Sequence, residues 1–297
     1  MKVSLIQMNS VDDKPANLRQ AAALIEDAVE RDRPDWVLLP ECFDFLGGTR
    51  DAKLAAAEIL PDAGDPASEA SAAPEASAGP EGSAYRTIQT LARRHRVFIH
   101  AGSMLERIPG EARIGNTTVA FDRKGREVAR YRKIHLFDIT APDGTEYRES
   151  ASFKPGDAVV TYDCEGVRIG CSICYDLRFP FLFQALMDRG AEMIALPAAF
   201  TMQTGKDHWE VLCRARAIET EAYLCAAAQT GNFNQGNQVR TTYGHSLVVD
   251  TWGHVTARAS DGVGSVSARL DPVRVGKVRA MIPVAQHRVE IPAAPAG

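Results

Sequence analysis

Nowhere in the 297 residues does an apolar run reach the roughly 18 that a membrane-spanning helix requires, so a membrane is not expected as a partner. A basic excess is missing too: 34 lysines and arginines face 38 acidic residues, a net charge of −4. The broad positive footprint of a nucleic-acid binder is therefore not expected. Cysteine is sparse, at positions 42, 164, 171, 174, 213 and 225. Residues 1–9 hold one lysine and a short apolar stretch that soon meets Asp12 and Asp13, too short for a secretory signal. Without an export signal, free thiols in a reducing cytoplasm are expected rather than a disulfide frame. Cys171 and Cys174 make one Cys-x-x-Cys, but no second pair supplies the further ligands of a zinc site. Positions three apart on a strand face opposite ways, so these two thiols are not expected to share a site.

One stretch lacks almost everything a core needs. Residues 62–84 contain no Lys, Arg or large apolar side chain and consist mainly of Ala, Ser, Glu, Pro and Gly. Such a composition buries too little apolar surface to offset its ordering entropy. It reads as a disordered loop inside a single domain spanning 1–297, not as a linker, because the first 60 residues are too few to close a core alone.

What remains is the mix of a globular protein: 45% hydrophobic and 24% charged. Segment 2–8 alternates as a strand, and 16–31 carries apolar residues at helical spacing with Pro15 suited to the first turn. The run 36–39 reads as a buried strand closed by Pro40. Beyond the insertion, 85–94 reads as a helix and 97–104 as a strand. Hairpins are expected at 117–132 and 158–173. A helix at 181–189, a strand at 193–196 and a helix at 207–221 follow. Strands at 223–228, 244–249, 254–259 and 263–270 precede a helix at 271–281. Helices alternate with strands early and hairpins interrupt later, which makes the fold class α/β or α+β, layered.

Three reactive side chains fall at the carboxyl ends of expected strands, where open α/β sheets bind ligands. Cys174 follows an apolar strand and precedes a helical segment, a turn that exposes a nucleophile and favours a thiolate. Glu41 ends the run 37–40, where a carboxylate can act as general base. Lys133 closes the strand 127–132, where an ammonium can stabilise an anionic intermediate. Each alone has an ordinary explanation: a small buried thiol, a solvated acid, a solvated lysine. The conjunction points to chemistry.

The residues around them carry a family likeness. Glu41 lies in Leu-Pro-Glu-Cys-Phe, Lys133 in Arg-Lys-Ile-His-Leu-Phe-Asp, and Cys174 in Cys-Tyr-Asp-Leu-Arg-Phe-Pro. His208-Trp209-Glu210, Arg214-Ala215-Arg216 and Tyr243-Gly244-His245-Ser246 follow in order. The chain resembles the nitrilase superfamily of carbon–nitrogen hydrolases over nearly its whole length outside 62–84. Within it, the branch of omega-amidase and deaminated glutathione amidase is the most similar. Ala226-Ala227-Ala228-Gln229 and Gln286-His287-Arg288 lean toward the latter.

The resemblance implies a four-layer α-β-β-α sandwich, pairing through helices on one face into a homodimer or larger assembly, and no metal or organic cofactor. It implies an amidase for a small carboxylic-acid amide, such as deaminated glutathione or 2-oxoglutaramate. Glu41 would be the base, Lys133 and the Tyr175 backbone N–H the oxyanion partners, and Cys174 the thioester-forming nucleophile. Glu149 matches a second glutamate of the branch. Arg178 is placed to clamp a substrate carboxylate, or to pair with Asp176; Phe200 and Thr201 are expected to line the pocket. Nitrilase or N-carbamoyl amino acid hydrolase activity on the same triad is the alternative, and a non-catalytic scaffold a more distant one. His208 and His245 match family motifs that suggest packing and interface roles rather than a Cys-His pair. Phe181, Asp207 and Thr251 depart from the residues usual in relatives, which leaves fine specificity and the subunit contact open.

Overall fold

The computed structural model of the protein describes residues 1–62, 82–141 and 144–289. The first unit is β1 (Lys2–Gln7), α1 (Lys14–Asp32) and β2 (Trp36–Leu38). Asp13 caps α1 by accepting from Ala16 N, and Pro15 sits in its first turn. The short α2 (Arg50–Ala56) buries no side chain. Next come α3 (Ala84–His95), β3 (Phe98–His100) and β4 (Met104–Arg107). Ser83 caps α3 through Arg86 N. Residues 83 and 84 thus belong to a helix and not to a disordered loop, and 63–81 of that expected insertion lie outside the described residues. The hairpin β5 (Ile114–Phe121) and β6 (Glu127–Arg132) completes this half.

The second half holds β9 (Thr161–Cys164), β10 (Val167–Cys171), α4 (Pro180–Asp188), β11 (Met193–Ala198) and α5 (Met202–Thr220). It continues through β12 (Tyr223–Ala228), β15 (Leu247–Val249), β16 (Val255–Arg258) and β17 (Gly264–Arg269). The helices α6 (Pro272–Met281) and α7 (Val284–His287) follow, α6 capped by Asp271. Two separate hairpins, β7 (Asp138–Thr140) with β8 (Glu146–Arg148) and β13 (Thr230–Gln235) with β14 (Gln238–Tyr243), lie outside both sheets.

The first sheet runs β17-β1-β2-β3-β5-β4, with β6 also on β5; the second runs β16-β15-β12-β11-β10-β9. Each has three parallel strands at its heart, β1-β2-β3 and β10-β11-β12, flanked by antiparallel neighbours. Strand alternation shows why the sheets stack. Val3, Leu5, Trp36 and Leu38 face the second sheet, packing with residues such as Ile169, Met193 and Leu224. Ile6, Val37, Leu39 and Ile99 face the other way, onto Leu18, Ile25, Ile88 and Leu91 of α1 and α3. On the far side, Leu186 of α4 and Trp209 and Cys213 of α5 close over the second sheet. The result is the four-layer α-β-β-α sandwich. No helix among the described residues is long and apolar enough to cross a membrane.

The single strand expected over 97–104 divides into β3 and β4, and the break serves the site. At Gly102 the backbone has φ +48°, and a Cβ there would press on the Pro40 carbonyl. The chain passes this close because Ser103 holds the loop after β2: its N donates to Pro40 O, its Oγ accepts from Cys42 N, and its O accepts from Phe43 N.

Candidate active site

Strand direction collects the reactive groups. β6 is antiparallel to β5, which is antiparallel to β3, so β6 runs the same way as β2. Glu41 beyond β2 and Lys133 beyond β6 therefore emerge at one edge of the first sheet. Cys174 follows β10, and Phe200 and Thr201 follow its parallel neighbour β11. The two edges meet around a cavity of about 300 Å³. It is lined by every residue that the resemblance assigns to catalysis or substrate binding: Glu41, Lys133, Glu149, Cys174, Tyr175, Arg178, Phe200 and Thr201. The first-sheet side supplies carboxylates and an ammonium, and the second the thiol.

Lys133 is the hub. Its side chain is 2% exposed, and Nζ donates to Glu41 Oε1 at 2.8 Å and to Glu149 Oε2 and Oε1 at 2.9 and 3.1 Å. Burial alone would lower the ammonium's pKa, but Glu149 and Glu41 outweigh burial and hold it well above the ordinary lysine value. Glu149 starts a short 3₁₀ turn and also accepts from Phe137 N at 2.6 Å, so the β7–β8 hairpin is tied to the lysine.

Cys174 opens a 3₁₀ turn, Cys174–Arg178, with φ +46°, a left-handed conformation that is costly for a non-glycine residue and concentrates at functional sites. Asp176, fully buried, holds that turn against the lysine segment. It accepts from Ile173 N (2.8 Å) on one side, and from Tyr131 Oη (2.7 Å) and His135 N and Nδ1 (3.1 and 2.7 Å) on the other. Tyr131 and His135 flank Lys133, so one carboxylate sets thiol and ammonium relative to each other. Arg178 therefore does not pair with Asp176; its Nη2 meets His208 Nδ1 at 3.2 Å and its guanidinium lies 5.6 Å over the Phe200 ring. Burial, and then the Glu41 charge, push the Cys174 thiol well above its ordinary pKa, while Lys133 and a backbone hydrogen bond at Ala199 pull it down. The thiolate that the sequence favours at this turn is therefore opposed here by burial and by the Glu41 charge.

Cys171 does not line the cavity. The two thiols are separated as expected, though for a different reason: β10 ends at Cys171, so strand alternation never reaches Cys174. His208 and His245 do not line it either. His245 stacks on Tyr243 at 4.4 Å and Nδ1 contacts Tyr243 O, so no Cys-His pair forms.

Sequence reasoning missed Asn116. It is 2% exposed on β5, and its Nδ2 donates to Glu41 Oε1 (2.9 Å) and Glu149 Oε1 (3.1 Å). The signal is an amide inside a strand with all eight residues buried, but the pattern alone places the start of that strand at Thr117, three residues late. Gln229 supports the site from the other sheet: buried after β12, it donates from Nε2 to Glu41 O and to Ser10 Oγ.

The carbon-nitrogen hydrolase family model matches residues 2–280. The chain is 40% identical over 288 residues to the deaminated glutathione amidase of Synechocystis sp., covering 96% of each protein. It is 32% identical over 291 residues to the omega-amidase NIT3 of Saccharomyces cerevisiae, covering 97% of this chain and 93% of that protein. The crystal structure of Saccharomyces cerevisiae Nit3, a member of branch 10 of the nitrilase superfamily, aligns with a TM-score of 0.81 at 29% identity. That match covers 97% of this chain and 96% of the other.

Proposed function

The chain belongs to the carbon-nitrogen hydrolase family, and from that premise we propose that it cleaves a small carboxylic-acid amide through a thioester on Cys174. Hydrolysis of amide carbon–nitrogen bonds is the chemistry of its family and its amidase relatives. The observation that carries the finer reading is the cavity itself. A buried thiol on a strained turn, a buried ammonium and two carboxylates share one small volume.

Asn116 and Lys133 both donate to Glu41 Oε1, which leaves Oε2 for the thiol proton. Glu41 takes that proton as Cys174 Sγ attacks the amide carbon. The oxyanion is met by the Lys133 ammonium and the Tyr175 backbone N–H. Glu41 returns the proton to the departing amine, the carbon–nitrogen bond breaks, and a thioester remains. Water, activated by Glu41, then releases the acid and restores the thiol. Glu149 is the positioning partner that keeps Lys133 charged and aimed. Arg178, Phe200 and Thr201 are substrate-binding walls. The relatives' names support deaminated glutathione or 2-oxoglutaramate as substrate.

The family model over 2–280 supports reading 1–297 as one catalytic domain. Six unbridged cysteines support a reducing, cytoplasmic setting. The outer helical layer on the second sheet supports a homodimer. Val211 and Ile218 are exposed on one stripe of α5, Ile218 beside Gly253, and Phe181 of α4 is 79% exposed. An oligomer stable in light scattering should fall apart in Val211→Glu/Ile218→Glu.

The central test is mass spectrometry of the protein quenched during turnover with a panel of amides, nitriles and N-carbamoyl amino acids. The expected result is an acyl adduct on the peptide holding Cys174, formed from the amides only. Cys174→Ala should lose the adduct and at least about 10⁴-fold in kcat. An adduct from nitriles or carbamoyl compounds alone would move the activity to the alternative class, and full activity in Cys174→Ala would refute the nucleophile.

A further inference from the structure

The cavity's charges do not balance. Its two acids, Glu41 and Glu149, are both engaged by Lys133. Arginines elsewhere commonly meet carboxylates, as Arg123, Arg130 and Arg132 do. Yet among the described residues no carboxylate lies within ion-pair distance of the lining cations Arg50, Lys53, Arg178 or Arg240.

Arg240 is the most completely built of these. It stands on β14 with its guanidinium 4.7 Å over the Tyr147 ring of β8. Nη2 donates to Gln238 Oε1 at 2.7 Å, the Nη1 contact to Tyr147 Oη is long at 3.4 Å, and Nε is buried with no partner. A guanidinium has five donors in a planar fork suited to a carboxylate, and here most are unspent. An unmet buried donor is costly unless a ligand meets it. The platform is rigid: Tyr147 packs on Phe137 at 5.0 Å, and Phe137 packs edge-on to Tyr175 at 5.0 Å, next to the nucleophile.

Position defines which part of a substrate Arg240 reads. Tyr147, Thr201, Arg240 and Thr241 line both the inner cavity and an outer groove of about 460 Å³, whereas Cys174 lines only the inner one. Arg240 therefore stands at the mouth, three aromatic steps from Tyr175. We propose that Arg240, braced on Tyr147, binds a carboxylate at the end of the substrate remote from the scissile amide. The preferred substrate is then an extended amide acid, not a short one. This rests on the amidase reading and adds a specificity residue to it.

Three amides with one acyl group test it: 2-oxoglutaramate, deaminated glutathione with its free terminal carboxylate, and deaminated glutathione with that carboxylate capped as the carboxamide. Wild type should prefer the free acid to its carboxamide at least tenfold in kcat/KM. Arg240→Gln should lose at least tenfold more on the free acid than on the carboxamide, through KM with kcat held, and Arg240→Lys should recover part of the loss. Equal losses on both long substrates, a loss confined to kcat, or no loss would overturn the proposal while leaving the amidase reading intact. If wild type cleaves none of the three, the amidase reading fails and this proposal with it.

Discussion

Two groups of largely buried polar side chains differ in charge, one being kept charged and the other neutral. At the carboxyl edge, Lys133, Glu41, Glu149 and Asn116 form a charged set. In the middle of the sandwich, Trp36 Nε1 of β2 donates to Tyr162 Oη of β9 at 2.8 Å, and Tyr162 Oη lies 3.1 Å from Nδ1 of His100 on β3. The second set is neutral: burial drives the His100 pKa down from 6.5 to about 3. The first set joins elements of the first-sheet side, with Glu149 partly exposed to the cavity, whereas the second ties the first sheet to the second. The difference lies in what compensates them. Lys133 has two carboxylates, which outweigh its burial; His100 has no charged partner and gives up its proton instead. A cluster that retains charge in the interior can stabilise a developing oxyanion, whereas a neutral one can only register the sheets.

The largest break in this contrast should come from Lys133→Met. It removes the proposed oxyanion partner, worth about 10²–10³-fold in kcat, and leaves buried Glu41 and the partly exposed Glu149 without their shared cation. Breaking one side of a buried ion pair costs about 3–5 kcal/mol. Urea unfolding and turnover, measured together, should both drop. The sign of the pH effect follows from the raised lysine pKa: its contribution is intact below the ordinary 10.5 and is lost only as pH climbs through the higher folded value. Across neutral pH Lys133 should therefore add no slope to stability.

Asn116→Leu comes next. It keeps the volume but takes both N–H donors from the glutamates. A roughly tenfold to hundredfold fall in kcat is expected, the range in which supporting groups act on those they orient, with the Cys174 acyl adduct still detectable by mass spectrometry. An unchanged kcat would make Asn116 a packing residue only.

How much of this was legible in the sequence divides along the same line. Cys174, Glu41 and Lys133 could be found because each follows an apolar strand, and the family motifs joined them. Asn116 was hidden because a lone amide at a strand's edge looks like a loop residue until its strand is known to be buried on both faces. The hairpins β7–β8 and β13–β14 were missed for a physical reason. They belong to neither main sheet, and β13 buries only one of its six residues, so they lack the apolar alternation that marks a strand. The same lack hid α2, which buries nothing. Yet these segments carry Tyr147, Arg240, Arg50 and Lys53, the cavity's outer wall. Core-forming pattern reveals the elements that hold the chemistry, not those that roof it.

The neutral cluster yields smaller, acid-side effects. Unfolded His100 takes up a proton below 6.5, while the folded side chain resists until about 3. Its stabilising contribution is complete above 6.5 and is lost as pH falls through that window, at about 1.4 kcal/mol per pH unit. Asp44, raised to about 6 by burial, acts with the opposite sign: its contribution is present below 3.8 and lost as pH rises through about 6. Because wild type and His100→Gln share Asp44, the difference between their urea midpoints at pH 7, 5.5 and 4.5 isolates the histidine. The variant should lose less stability on acidification than wild type. Parallel curves would place His100 in water's reach and end the comparison.

Tyr162→Phe should have the smallest effect and is the most direct probe of registry. It deletes one hydroxyl with almost no change in volume, leaving Trp36 Nε1–H and His100 Nδ1 unmet inside a dry layer. Each buried group stranded in this way costs about 1–3 kcal/mol, partly relieved if the indole shifts. The expected outcome is a loss of one to a few kcal/mol in urea unfolding, about that order, with kcat and KM unchanged, because the cavity shares no lining residue with this cluster. If kcat fell with stability, the two clusters would be one coupled unit, and sheet registry would be setting the distance between Cys174 on one sheet and Lys133 on the other.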